Sequence, residues 1–285
     1  MAAIGVAIVA VSTSAILIRL SHAPSIVKAF YRALFTTLFV IPVAVRYRGA
    51  FARISPRDLG FALLSGIALA VHFAAWFESL EWTSVAASVT LVQVQPLFVA
   101  VGAWALLDEH LNARMVGGIL VALVGSTVMS AAGLLGRGVV GANPLYGNLL
   151  AIAGAVMAAG YVLAGRSLRQ RLPLVPYVLV VYSAATVALF VFVAAQGAPF
   201  NGYPPREWIL FVAMAVGPGL FGHTVINWAL KYVESSVVSV SLLGEPVGSA
   251  ILALAIFAEV PGVATLLGGS IVLVGIFVTS RARAV

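Results

Sequence analysis

The chain has 285 residues, of which 62% are hydrophobic and 9% charged, against roughly 45–50% and about 25% in a soluble domain. So few charges cannot cover the surface of a water-soluble protein of this size, which excludes a soluble enzyme, a disordered chain and a nucleic-acid binder. The net charge of +7 has to be read by position along a membrane-embedded chain, and the absence of cysteine removes disulfides, thiolate metal sites and thiol chemistry.

A helix crosses a bilayer in about 20 mostly apolar residues, and uniformly apolar runs of that length are too long for barrel strands. Ten such runs follow one another. The first, near 2–20, lacks a basic leader and a cleavage site before a polar mature part, so it reads as a span and not a signal peptide. The second, near 26–45, carries Tyr31-Arg32 about two turns in. Arg32 either attracts a substrate carboxylate or snorkels to the headgroups. The third, near 57–80, holds His72 and Trp76, four apart and hence on one face. The fourth, near 84–107, places Gln95 on a stripe with Ser84 and Ser88. Gln93 lies about 200° away around the same helix, so only one of the two glutamines points squarely into a cavity. The fifth, near 113–132, contains Gly117-Gly118 and Gly125; the sixth, near 146–165, contains Tyr161. In the seventh, near 173–196, Tyr182 and Thr186 share a face; in the eighth, near 206–230, His223 and Asn227 do. The ninth, near 235–257, has Ser241, Glu245 and Ser249 at i, i+4 and i+8, with Pro246 suited to a kink. The tenth, near 262–280, contains Gly268-Gly269 and Gly275.

Ten spans put both termini on one side. That side carries eleven Lys and Arg (Arg46, Arg48, Arg53, Arg57, Arg114, Arg166, Arg169, Arg171, Lys231, Arg281 and Arg283), and the other carries five (Arg19, Lys28, Arg32, Arg137 and Arg206). The excess places both termini in the cytoplasm.

The two halves repeat each other. His72, Gln95-Pro96, Glu109, Gly117-Gly118 and Gly125 recur as His223, Glu245-Pro246, Glu259, Gly268-Gly269 and Gly275, at an offset of 150 or 151. Five spans per half is an odd number, so the second half inserts upside-down. Inverted repeats of this kind are typical of transporters, with substrate held near the midplane between the halves. The expectation is an all-α integral membrane protein of ten transmembrane helices in a 5+5 inverted repeat: residues 1–132, a periplasmic linker 133–145, and residues 146–285.

The segment SLLGEPVGSAILALAIFAE (241–259), and its degenerate copy VQPLFVAVGAWALLDE (94–109) with Gln95 in place of the glutamate, resemble the helix-end motif of EamA-type drug/metabolite transporters. The resemblance covers essentially the whole chain and is strongest to the bacterial aromatic amino-acid and paraquat exporter branch. It implies a multi-pass protein of the bacterial inner membrane that exports amino acids with aromatic or large apolar side chains, and related metabolites, by alternating access. A multidrug or cationic-compound exporter of the same superfamily is the alternative. It also implies that Glu109 and Glu259 end their helices in a shared structural position.

Polar groups inside a bilayer are costly and therefore mark candidate sites. Glu245 would meet a substrate ammonium or a proton, and the repeat makes Gln95 its partner. His72 and His223, in matching positions, would line a cavity with Asn227; Trp76 and Tyr182 would stack on an aromatic ring or a cation. Each has a plain packing alternative. No three ligands have metal spacing, and no cofactor is implied. The chain also lacks H-E-x-x-H, G-x-S-x-G and any nucleotide-binding loop, so a carrier is expected and not an enzyme or an ATP-driven pump. A channel would need a continuous polar lining, which no span offers. The glycine pairs allow close helix approach, within the chain or in a homodimer.

Overall fold

The computed structural model describes residues 2–83, 88, 91–135, 142–258 and 262–282. Ser84, Arg137, Glu259 and Arg283 lie outside them. The described chain is helical: α1 (Ala2–Leu20), α2 (Ser25–Ala44), α3 (Arg48–Phe51), α4 (Pro56–Trp82), α5 (Gln95–Leu107), α6 (Ala113–Leu135), α7 (Pro144–Arg169), α8 (Leu174–Ala195), α9 (Pro205–Met214), a π-helical segment (Ala215–Thr224), α10 (Val225–Ala229), α11 (Ser235–Ser241), α12 (Gly244–Phe257) and α13 (Val263–Arg281). Among the described residues, seven helical stretches are long and apolar enough to cross a membrane, and three shorter apolar helices lie at 95–107, 113–128 and 266–279.

Three expected spans depart from plain α-helix, and proline accounts for each. Pro246 has no N–H to give the Leu242 carbonyl, and the ninth stretch breaks into α11 and α12 at Leu242-Leu243. Tighter bonds replace the lost one, with Glu245 N donating to Leu242 O at 2.9 Å. The break interrupts the expected Ser241–Glu245–Ser249 stripe. In the first half, α5 starts at Gln95 just before Pro96, after a turn at residues 93–94. Gln93 and Gln95 therefore do not share one continuous helix, and the 200° argument does not apply to them. In the eighth stretch, Gly217-Pro218-Gly219 lies inside the π-helical segment. There the Thr36 hydroxyl hydrogen-bonds the Ala215 carbonyl at 3.2 Å and fills the space a Cβ on Gly219 would need.

The chain forms two compact units, 1–74 with 160–232 and 75–159 with 233–285. Each takes roughly equivalent stretches from both halves of the repeat, and α4 and α7 contribute to both. In the first unit α2 packs on α8, where Thr37 and Thr186 hydroxyls meet at 3.1 Å. Gly66 of α4 lies against the Val181 carbonyl and Ala184 of α8, so close that any side chain at 66 would clash. α1 packs on the π segment, with Val11 and Thr13 against Gly222 and Gly217. At one end Asp58 pairs with Arg171 at 2.8 Å, and Arg166 and Arg169 donate to the Leu230 and Asn227 carbonyls at 2.9 and 3.0 Å, covering the C-terminal end of α10. At the other end the Glu207 carboxylate accepts from the Ser21 hydroxyl and from His22 N, and the Tyr31 hydroxyl donates to the Phe200 carbonyl.

In the second unit α6 and α13 pack backbone to backbone. Gly118 lies against Thr279 and the Gly275 carbonyl, Gly275 against Ala122, and Gly125 within 2.6 Å of the Val272 nitrogen, measured from an added Cβ. Of the two expected glycine pairs, Gly118 makes this contact while Gly117 faces open space. Ile119, Ala122, Val240, Leu243 and Val272 complete a buried core beneath it. The Glu109 carboxylate accepts from Ser235 N at 3.1 Å and from its hydroxyl at 2.9 Å, capping α11. Asn112 accepts from Met115 N at 2.9 Å and donates to the Ala282 carbonyl at 3.0 Å.

Candidate functional site

A cavity inside the first unit is lined by α2, α4, α8 and the π segment. Arg32, Ala33 and Thr36 come from α2, Leu69 and Phe73 from α4, Tyr182 and Ala185 from α8, and Gly219 and His223 from the π segment. Its volume is about 20 Å3, room for about one water molecule. Arg32, Leu69 and Phe73 come from the first repeat, and Tyr182, Gly219 and His223 from the second. Tyr182 and His223 stand 151 residues after Tyr31 and His72, neither of which lines the cavity.

Arg32 does not snorkel. It is 4% exposed, its guanidinium lies 4.6 Å from the centre of the Phe73 ring, and it donates to the Ser14 hydroxyl at 3.4 Å. Among the described residues that line the cavity, it carries the only permanent charge. The His223 imidazole also meets the Phe73 ring, edge-on at 5.5 Å and 77°. Its Nδ1 is buried and has no hydrogen-bond partner among the described residues. One turn further along, Asn227 is fully buried. Its amide donates to the His223 carbonyl at 2.8 Å and to the Tyr161 hydroxyl. A carbonyl can only accept, so this contact fixes which way the amide faces. Tyr182 shares a hydrogen bond with Thr224 at 3.1 Å.

Of the residues singled out from sequence, Tyr182, His223 and Asn227 thus come together in the first unit. His72 is nearby but does not line the cavity; its ring lies tilted beside Phe73 at 5.1 Å, and it is Phe73 whose ring meets His223. Trp76, Gln95 and Glu245 belong to the second unit and are half-buried there. Gln95 opens α5, and Glu245 lies in the first turn of α12, where backbone N–H groups lacking helical partners favour an acceptor side chain. Trp104 and Trp228 are exposed. Phe73, Thr36 and Leu69 were not legible as site residues by type. The repeat does not find them either, since the offset of 151 leads from His223 to His72 and from Tyr182 to Tyr31. Among the described residues no group of three or more acidic or histidine side chains could hold a metal ion.

The model of the EamA-like transporter family matches the chain twice, over residues 1–131 and 145–281. No curated protein matches. Among solved structures, one chain superposes with a TM-score of 0.83 at 23% identity, over 99% of this chain and 96% of its own, a likeness of fold. Two successive matches across nearly the whole length, on a helical architecture rich in apolar spans, make the chain a member of the EamA-like transporter family, in the drug/metabolite transporter superfamily: a multi-pass membrane transporter of small substrates.

Proposed function

We propose that the chain is a secondary transporter that exports amino acids with aromatic or large apolar side chains, and related small metabolites, across a bacterial inner membrane. The observation that carries this reading is Arg32, a guanidinium held inside a cavity walled by Phe73, Tyr182 and His223. A guanidinium pairs with a carboxylate through its edge while its face accepts an aromatic ring. An amino acid with an aromatic side chain offers both. A cationic drug would meet like charge there.

The proposed architecture is ten spans in two inverted five-helix repeats, 1–132 and 146–285, joined by a periplasmic linker at 133–145, with both termini cytoplasmic. Contacts within each unit support it, because they join loops that this topology puts on the same side. Asp58 meets Arg171, Glu109 meets Ser235 and Asn112 meets Ala282 on the cytoplasmic side. Glu207 meets Ser21, and Thr83 meets Asn148, on the other. Transport would proceed by alternating access, with the small cavity belonging to a closed state. Glu245, His72 and His223 are the candidate proton carriers, and Trp76, Gln95 and Asn227 complete the polar and aromatic set that the cargo or its coupling would use.

The test is counterflow. Proteoliposomes preloaded with unlabelled phenylalanine should take up labelled phenylalanine without any ion gradient, and Arg32→Gln should lower that uptake at least about tenfold, the loss of one charge-assisted pair. Undiminished uptake by a folded Arg32→Gln protein would overturn the role of the guanidinium. Exchange of organic cations, with no exchange of amino acids, would favour the multidrug reading.

A further inference from the structure

We propose that Phe73 is the residue that sets which side chains the site accepts, because its ring covers the face of Arg32 in the place the cargo's own ring would take. This inference rests on the reading of Arg32 as the carboxylate receptor and deepens it. Phe73 is 4% exposed, and its ring meets both the Arg32 guanidinium and the His223 imidazole, the two nitrogen-bearing groups of the cavity wall. The remaining space, about 20 Å3, holds about one water and no ring. A small carboxylate reaches the edge of the guanidinium with far less displacement of Phe73 than a ring-bearing one needs. A carboxylate that carries an aromatic group cannot be seated beside Arg32 until Phe73 turns away. The incoming ring then restores the cation–π contact that Phe73 gives up. Aromatic acids therefore exchange ring for ring. Saturated acids of the same bulk displace Phe73 without replacing that contact, so they bind more weakly.

Position 73 suits such a part. It is on α4, about two turns from Gly66, which lies directly against α8, and its ring meets His223 on the π segment. The ring is thus carried on a well-anchored helix and faces a segment whose helical turns are wider than usual.

The experiment uses the full-length purified protein and three probes: acetate, 3-phenylpropionate and 3-cyclohexylpropionate, titrated by calorimetry. The unaltered protein should prefer the phenyl over the cyclohexyl acid. Phe73→Ala, which leaves a ring-sized void beside Arg32, should tighten 3-phenylpropionate about tenfold while changing acetate less than about twofold. Phe73→Leu keeps bulk in the cavity should the alanine variant fold poorly; it should tighten both ring-bearing acids relative to acetate and leave the phenyl-to-cyclohexyl preference as it was, since both acids displace the same ring. If the ratio of 3-phenylpropionate to acetate affinity stays at its original value in these variants, while Arg32→Gln abolishes acetate binding, Phe73 is not the selector and the carboxylate reading stands. If the unaltered protein binds none of the three acids, Arg32 is not a carboxylate receptor, and the role of Phe73 falls with it.

Discussion

Asp108 and Ala258 both sit in the left-handed region, at φ 54° and 55°, one residue after α5 and α12 respectively. Each donates its backbone N–H to an alanine carbonyl five residues back, Ala103 and Ala253. This is an ordinary way to end a helix, but glycine is the residue that adopts it without strain. Aspartate tolerates the conformation better than alanine does. Ala258 is exposed, so a change there alters no packing. Ala258→Gly should therefore raise stability by about 1 kcal/mol, the strain released less the added freedom of the unfolded chain. A higher melting temperature in detergent is the expected reading. At this scale the sequence was informative wherever residue type carries a cost in a membrane. Arg32, His223 and Asn227 stand out for that reason. Phe73 does not, because a phenylalanine in an apolar span is unremarkable until its neighbours are known.

The helices show where periodicity works and where it fails. Long apolar runs announced their own existence, and Pro246 announced a kink. A full break at Leu242-Leu243 and a ten-residue π segment were not legible. Both depend on which neighbours pack against the segment and bond its carbonyls, as Thr36 does for Ala215. The pairing of α6 with α13 is the sharpest case. Glycine pairs pointed to close approach, yet only the structure separates Gly118, which is pressed on Thr279, from Gly117, which touches nothing. The two kinds of glycine should respond oppositely to one methyl group. Gly117→Ala should stabilise the helix by about 0.5–1 kcal/mol through propensity alone. Gly275→Ala, whose methyl would meet the Ala122 nitrogen and the Gly118 carbonyl, should cost about 1–3 kcal/mol by overpacking. Thermal unfolding of the two variants side by side checks both signs.

For the whole molecule, the repeat was readable because costly residues recur at a constant offset. The compact units were not, since they gather stretches from both halves instead of following them. The side of the membrane on which each loop lies rests on the distribution of Lys and Arg, and it can be tested directly. The chain has no cysteine, so single cysteines report without background. In intact cells Ala198→Cys, in the loop after α8, should react with an impermeant maleimide. Arg53→Cys, after α3, should react only once the membrane is opened. The reverse pattern would invert the proposed orientation.

The make-up of the cavity wall has one more implication. A gene that arose by duplication starts with two identical copies, and a pocket lined by equivalent residues of both would present the same group twice, with no preferred end. Here Tyr182 and His223 keep the residue types of Tyr31 and His72, 151 positions earlier, yet only the later member of each pair lines the cavity, and the arginine comes from the first copy alone. With Arg32 as the proposed carboxylate receptor, a ligand with an acidic head and an apolar tail has one preferred way to lie there. A doubly exchanged protein, Arg32→Tyr with Tyr182→Arg, should reverse that preference.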